Sequence, residues 1–325
     1  CGVSTFSGKS GVQIPSGSTD FRRQDGGSRG RCVAAGGASP SYLSSCEKVE
    51  IATTGNATDF GDLSGGRAAM DGCSSSTRGV VMGGGSPSNL NIIEYFTMSS
   101  EGGANDFGDL TFARQYVASA NSSTRGLSMN SYSPKTNSIE FVTIATTGNA
   151  TDFGDSTAAR QADSGTSSPT RAVVPGGEGL AGNSHNPNAS TASPFAENLI
   201  DFVTIATLGN AQDFGDRSVA GWGVGSNGNS TRGIFFGVTP SRTNIIDFIT
   251  IAAKGNSTDF GDLLQGNGYL SGASSQTRSL MVGGTTPSTI NVIQFVTIST
   301  TGNASDFGDL NTQRARSAIF SDSNG

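Results

Sequence analysis

Ile139-Glu-Phe-Val-Thr-Ile-Ala-Thr-Thr-Gly-Asn-Ala-Thr-Asp-Phe-Gly-Asp155 is the stretch on which the fold turns. Phe141-Val-Thr-Ile144 joins aromatic and β-branched residues, which suit a pleated strand. Its apolar side chains fall on both faces, so both faces need cover. Thr146-Thr-Gly-Asn149 is turn chemistry, and Asp152-Phe-Gly-Asp155 opens the next strand. Asp-Phe-Gly-Asp occurs six times, starting at Asp59, Asp106, Asp152, Asp213, Asp259 and Asp306, at intervals of 47, 46, 61, 46 and 47 residues. An arginine at the end of a small-residue run keeps the same beat: Arg31, Arg78, Arg125, Arg171, Arg232 and Arg278. A self-similar period of this length is the signature of a repeat architecture.

Each unit reads as three clear strands and a weaker fourth. In the second copy, small residues run from Arg67 to Ser74, and Arg78-Gly-Val-Val-Met82 stops at Gly83-Gly84-Gly85. Ile92 to Met98 then leads through a turn to Asp106. Turns every 8 to 12 residues suit the small sheets of a propeller, and glycine pairs break each apolar run before it reaches helical length. A flat β-solenoid would also cover such strands in part. The ends favour closure: Arg314 to Ser321 is the first strand of a seventh unit, whereas the first unit starts at its second strand, Arg31-Cys-Val-Ala-Ala35. The expected fold is therefore all-β, a six-bladed propeller spanning residues 28–325, with the C-terminal strand completing the first blade and no exposed sheet edge at a joint. Asp20 to Gly27 competes for the same strand position. Residues 1–27 form an N-terminal extension without repeat character.

The bulk numbers agree. With 47 glycines in 325 residues and 14% charged, the chain is poor in helix formers and rich in turn residues. The net charge of -6, without a basic run, argues against nucleic acid or an anionic membrane as partner. No apolar stretch approaches the roughly 18 residues that span a bilayer. Cys1, Cys32, Cys46 and Cys73 lack zinc-ligand spacing, and a disulfide among them is left open; one would staple the N-terminal end of the ring.

The double glycine ending an apolar strand, repeated near 47 residues, resembles the kelch type of β-propeller. Through Thr124-Arg-Gly126 and Ile139 to Asp155, the wording is similar to repeats in kelch-like virion structural proteins of tailed phages, especially marine ones. That resemblance implies a propeller in a tail, fibre or surface appendage that contacts other virion subunits and a host-surface glycan. It names no ligand.

Several motifs carry two readings. The aspartates of Asp-Phe-Gly-Asp offer oxygen ligands to calcium. The structural reading is preferred: Asp accepts backbone N–H groups, glycine relaxes the chain and Phe fills the space between blades. No metal or cofactor is expected. The Thr-Arg-Gly arginines are expected to pair with Glu47, Glu94, Glu140, Asp201 and Asp247 on the following strand, where the sixth unit has Gln294. A second arginine, eight residues past the first Asp, appears as Arg67, Arg114, Arg160 and Arg314, with Gly221 and Asn267 in the other two units.

Departures from a repeat are where function is written. The fourth unit carries about 15 extra residues within Pro175 to Asn198, with His185, Asn186, Asn188 and Phe195, either a recognition loop or a tolerated surface insertion. Trp222, the sole tryptophan, and Tyr269 suit either sugar stacking or packing between blades. With a single histidine, and with every obvious carboxylate belonging to the repeat, no catalytic constellation stands out. The expectation is a non-catalytic structural or binding module on a virion or extracellular appendage. The alternatives are a bacterial cell-surface lipoprotein or adhesin, for which Cys1-Gly2 suits an acylated N-terminus, and a polysaccharide-processing enzyme on a propeller scaffold.

Overall fold

The computed structural model describes residues 30–162, 164–179 and 195–323. They form six antiparallel blades. Blade 1 combines Ala318–Ser321, Arg31–Ala35, Ser45–Glu50 and Thr58–Asp62, from the axis outwards. Blade 2 runs Asp71–Ser74, Arg78–Met82, Leu90–Thr97, Asn105–Arg114; blade 3 runs Ala118–Asn121, Arg125–Tyr132, Lys135–Thr143, Thr151–Asp155. In blade 4, Arg160–Gln161 and Thr166–Ser167 both pair with Arg171–Gly179, followed by Phe195–Thr204 and Gln212–Asp216. Blades 5 and 6 start at Gly225–Gly228 and Ser271–Ser274 and end at Thr258–Asp262 and Ser305–Asp309. The innermost strand of each blade touches those of both neighbours, so the ring is closed and not an open stack. Closure runs through the C-terminal strand, with Cys32 opposite Ser321 and Ala35 opposite Ala318.

The apolar residues do not make one core. They make six wedges, one between each pair of neighbouring blades. The third strand of blade 3 shows why its sequence is apolar on both faces. Val142 and Ile144 pack towards blade 2, while Ile139 and Phe141 pack towards blade 4. A blade of this size buries its greasy surfaces only against two neighbours, which is the logic of repeat proteins. Cys32, Cys46 and Cys73 fall in three different wedges as free, buried thiols, so no disulfide joins any two of them. Cys1 and Asp20 to Gly27 lie outside the described residues.

Asp-Phe-Gly-Asp is the joint between blades. In all six copies the ladder with the third strand slips by one residue there, as a β-bulge. The slip leaves the Phe unpaired and turns it into the wedge, where Phe60, Phe107 and Phe260 are wholly buried. The Phe carbonyl accepts the N–H of the turn glycine of the next blade, as in Gly148 to Phe107 at 2.8 Å. The motif glycine is required by that approach. At Gly108, Gly154 and Gly308, with φ near +145°, a Cβ would stand 2.5 Å from the next blade's carbonyl oxygen. Asn149, Asn210, Asn256, Asn303 and Asn56 complete the joint by accepting the N–H of the motif's second Asp at 3.0–3.1 Å. The first Asp of each motif is exposed on the outermost strand, where charge discourages edge-to-edge pairing with another chain.

The arginines divide the work differently from the expected pairing. The Thr-Arg-Gly arginines do not meet the acidic residues. Arg78, Arg125, Arg171, Arg232 and Arg278 stack on an aromatic residue of their own blade, with Cζ 4.3–4.8 Å from the ring centre. Each donates to the isoleucine carbonyl ending the third strand of the next blade, at 2.6–3.1 Å. The carboxylates belong instead to the second arginine, buried in the link from one blade to the next: Arg67–Glu94 at 2.8 Å, Arg114–Glu140 at 3.3 Å, Arg160–Asp201 at 2.8 Å, and Arg314–Glu47. A carboxylate at the start of the third strand can reach only the link that enters its own blade, whereas the Thr-Arg-Gly arginine reaches the far end of that strand. Where Gly221 replaces the second arginine, Arg217 supplies the charge from four residues upstream, 3.3 Å from Asp247. Where Asn267 replaces it, the acidic position holds Gln294, so both charges are lost together; Asn267 donates to Gly283 O and Gln294 accepts the N–H of Leu264. Burial pushes Arg67 and Arg217 below the ordinary arginine range and Arg114 down to about 10, each opposed by its carboxylate.

Candidate functional site

An up-and-down blade puts its connections on two sides. The turns joining first to second and third to fourth strands share one face; the loops joining second to third strands share the other with the links to the next blade. On the link face, the double glycine that ends the second strand in blades 1, 2, 4 and 6 takes the link backbone directly. Gly37 donates to Arg67 O at 2.9 Å and Gly84 to Arg114 O at 2.9 Å. Each link then turns towards the axis two residues past the buried-arginine position. The turning residue is left-handed in five of six links: Ala69, Tyr116, Gly223, Tyr269 and Arg316, with φ of 56–65°.

These residues are tied to one another around the axis. Ala162 donates to Tyr116 O (3.4 Å), Tyr116 to Ala69 O (2.6 Å), Ala69 to Arg316 O (2.9 Å), Arg316 to Tyr269 O (3.2 Å) and Tyr269 to Gly223 O (2.8 Å). The chain of N–H to carbonyl bonds thus frames a mouth. Below it, the innermost strands enclose an axial cavity of about 50 Å³ bordered by Ser74, Asn121, Ser167 and Asn227. That holds a few water-sized spheres and no sugar ring.

Five bonds tie the six link positions together, but the side chains at those positions do not repeat. Tyr116 and Tyr269 come from links on opposite sides of the ring, and their ring centres lie 6.4 Å apart. The Arg316 guanidinium meets both, 4.1 Å from the Tyr269 ring and 5.4 Å from the Tyr116 ring. Trp222 donates its indole N–H to the Tyr269 hydroxyl at 3.1 Å. On the other side Tyr116 meets Tyr132 edge-on at 5.5 Å, and Lys135 reaches from above Tyr132 to Glu178 of blade 4 at 2.5 Å. Trp222, Tyr116, Tyr269 and Arg316 are half-buried, and Tyr132 is 41% exposed. Among the described residues Arg316 has no carboxylate within ion-pair distance.

The structure therefore brings together Trp222 and Tyr269, two residues the sequence singled out separately. Phe195 is not on this surface: it is buried opposite Gly179, where the second and third strands of blade 4 continue beyond the length of their counterparts. His185, Asn186 and Asn188 lie outside the described residues. Tyr116 and Arg316 were missed by sequence reasoning, although a signal existed. Both stand ten residues past the first Asp of their motif, the same offset as Tyr269. Tyr132 has no such periodic signal.

The described residues of the mouth offer aromatic faces, hydroxyls and a guanidinium. Among the described residues no three His, Cys, Asp or Glu converge as a metal set. No helix there is long and apolar enough to cross a membrane. No family model matches the chain, and no curated protein matches it in sequence.

Proposed function

We propose that this chain is a non-catalytic binding module of a virion tail or other extracellular appendage, and that it engages a host-surface glycan through the link face of the propeller. One observation carries the reading. The joints repeat six times, whereas the large side chains that break the repeat (Tyr116, Trp222, Tyr269 and Arg316) gather at one mouth. Aromatic residues with one polar end suit contact with a wet, partly apolar ligand such as a sugar. Neighbouring subunits of the appendage would be held elsewhere on the ring.

The test is binding of the purified chain to a glycan array and to intact host cells, followed by analysis of the bound sugar. Retention of intact glycan, lost in Trp222→Ala and Tyr269→Ala variants that melt normally, supports the proposal. Cleavage of the sugar would overturn the non-catalytic part, and binding indifferent to both substitutions would overturn the choice of face.

A further inference from the structure

We infer that the mouth selects an acidic sugar, with Arg316 as the group that reads its ring carboxylate and Tyr116, Tyr269 and Trp222 as the platform for the ring. This rests on the reading of the link face as glycan-binding.

The arginines of the joints are spoken for. Those of the Thr-Arg-Gly positions cap carbonyls of the next blade, and those of the links face a carboxylate across a buried gap. Arg316 does neither. It packs on two tyrosine rings and faces no described carboxylate, in a chain whose acidic residues outnumber basic ones by 26 to 20. A guanidinium resting against aromatic faces keeps its in-plane N–H fork for a ligand, and that fork matches the two oxygens of a carboxylate.

The backbone argues the same way. At Arg316, Tyr116 and Tyr269 a bulky residue sits at φ of 56–60°. The left-handed region costs an L-residue roughly 1–2 kcal/mol. The equivalent residue of another link is Gly223, which accepts φ of 65° freely. Three large side chains are thus held where a glycine fits the chain better, and such strain collects at ligand clamps. The platform is also one-sided. Ala162 and Gly223, successive around the frame, carry no bulk. The Tyr269 oxygen accepts the Trp222 indole N–H, and its own hydrogen meets no acceptor among the described residues, which leaves it for a sugar hydroxyl.

The deciding experiment is an array of oligosaccharides carrying uronic or nonulosonic acids, each beside its carboxyl-reduced counterpart, probed with the full chain. Acidic members should bind at least tenfold better than their reduced forms. Arg316→Gln should erase that ratio with the melting temperature unchanged. If Arg316→Gln melts early, Arg316→Lys carries the test, because it keeps the charge but not the planar fork and should lose most of the preference. Equal binding of acidic and reduced sugars, or a preference for sulfated ones alone, would overturn the carboxylate assignment and leave the glycan-binding face standing. An array without any bound saccharide would overturn both.

Discussion

The turn face and the link face of this ring are built from the same strands, yet they have diverged to different degrees. On the turn face, the Ser-Ser-Thr turns close on the same serine-to-arginine bond within their own blade, and the Thr-Thr-Gly-Asn turns lock onto the neighbouring blade through the same glycine N–H to Phe carbonyl bond. On the link face the backbone frame is equally regular, but its side chains run from none at Gly223 to indole at Trp222. A closed ring requires six equivalent joints, since one weak joint opens an edge. It requires nothing of the side chains over the axis. Constraint and freedom are therefore separated by a few residues within each link. Arg314 and Arg316, two positions apart, stand on opposite sides of that boundary.

The joints should be the fragile part. Removing one member of a buried ion pair leaves an uncompensated charge, at a cost of about 3–5 kcal/mol. Glu140→Ala should destabilise by that amount, because Arg114 is completely buried. The joint between blades 5 and 6 already shows the remedy, since Asn267 and Gln294 replace both charges. The double variant Arg114→Asn with Glu140→Gln should recover most of the loss in urea unfolding; a double as weak as the single would mean that charge is indispensable at a joint. Next in size is Gly154→Ala, whose Cβ would meet the next blade's carbonyl oxygen at 2.5 Å. Overpacking of this kind costs about 1–3 kcal/mol. Gly148→Ala shares a positive φ but has nothing within 4 Å of its Cβ, so the difference between the two variants isolates the close approach. Equal losses would show that only φ matters.

The joints were legible in the sequence because their chemistry repeats. Six copies of Asp-Phe-Gly-Asp, a strand apolar on both faces and an extra strand after the sixth unit that matches the one the first unit lacks together imply a closed ring. The pairing of arginines was not legible. Both arginine series keep the same period, and periodicity alone does not say which of two equally spaced residues lies at the near end of a strand. The substitution of Arg217 for position 221 hides the second series further, because a link can tolerate a cation entering from a different turn of the chain. At the mouth, Trp222 and Tyr269 stood out as rare residues. Tyr116 and Arg316 required alignment by offset from the motif, and Tyr132 required the fold, since it reaches Tyr116 across a loop of its own blade.

A smaller, pH-dependent effect separates one half of the ring from the other. Cys32, Cys46 and Cys73 lie in the wedges between blades 6 and 1, 1 and 2, and 2 and 3. Burial pushes the Cys32 and Cys46 thiols up to about 12 and raises Cys73 as well, from the ordinary 9.0. The folded pKa values exceed the unfolded ones, so the stabilisation is complete below pH 9 and is lost as pH climbs from 9 towards 12. Each thiol should contribute roughly 1 kcal/mol of loss per pH unit in that range. Hydrogen exchange between pH 9 and 10 should show blades 1 and 2 opening before blades 4 and 5, and Cys46→Ala should flatten the slope. Uniform opening around the ring would dissociate the thiols from it. Arg114 acts in the opposite sense, but only above its own pKa of about 10.

The smallest effect is the most telling about the mouth. Arg316→Gly removes a guanidinium stacked on Tyr269 and Tyr116, a contact worth about 0.5–1 kcal/mol at a partly exposed site. It also relieves a left-handed residue by roughly 1–2 kcal/mol, offset in part by the greater freedom of glycine in the unfolded chain. The sum lies within about 1 kcal/mol of zero, and a slight gain in melting temperature is consistent with it. Arg314→Gly, two residues earlier, strips the buried Glu47 of its partner and belongs with the large losses of the joints. If the two substitutions cost the same, Arg316 is part of the scaffold and its strained backbone has no bearing on binding. If they separate by several kcal/mol, stability does not account for Arg316, and a ligand is the remaining reason to hold an arginine where a glycine fits.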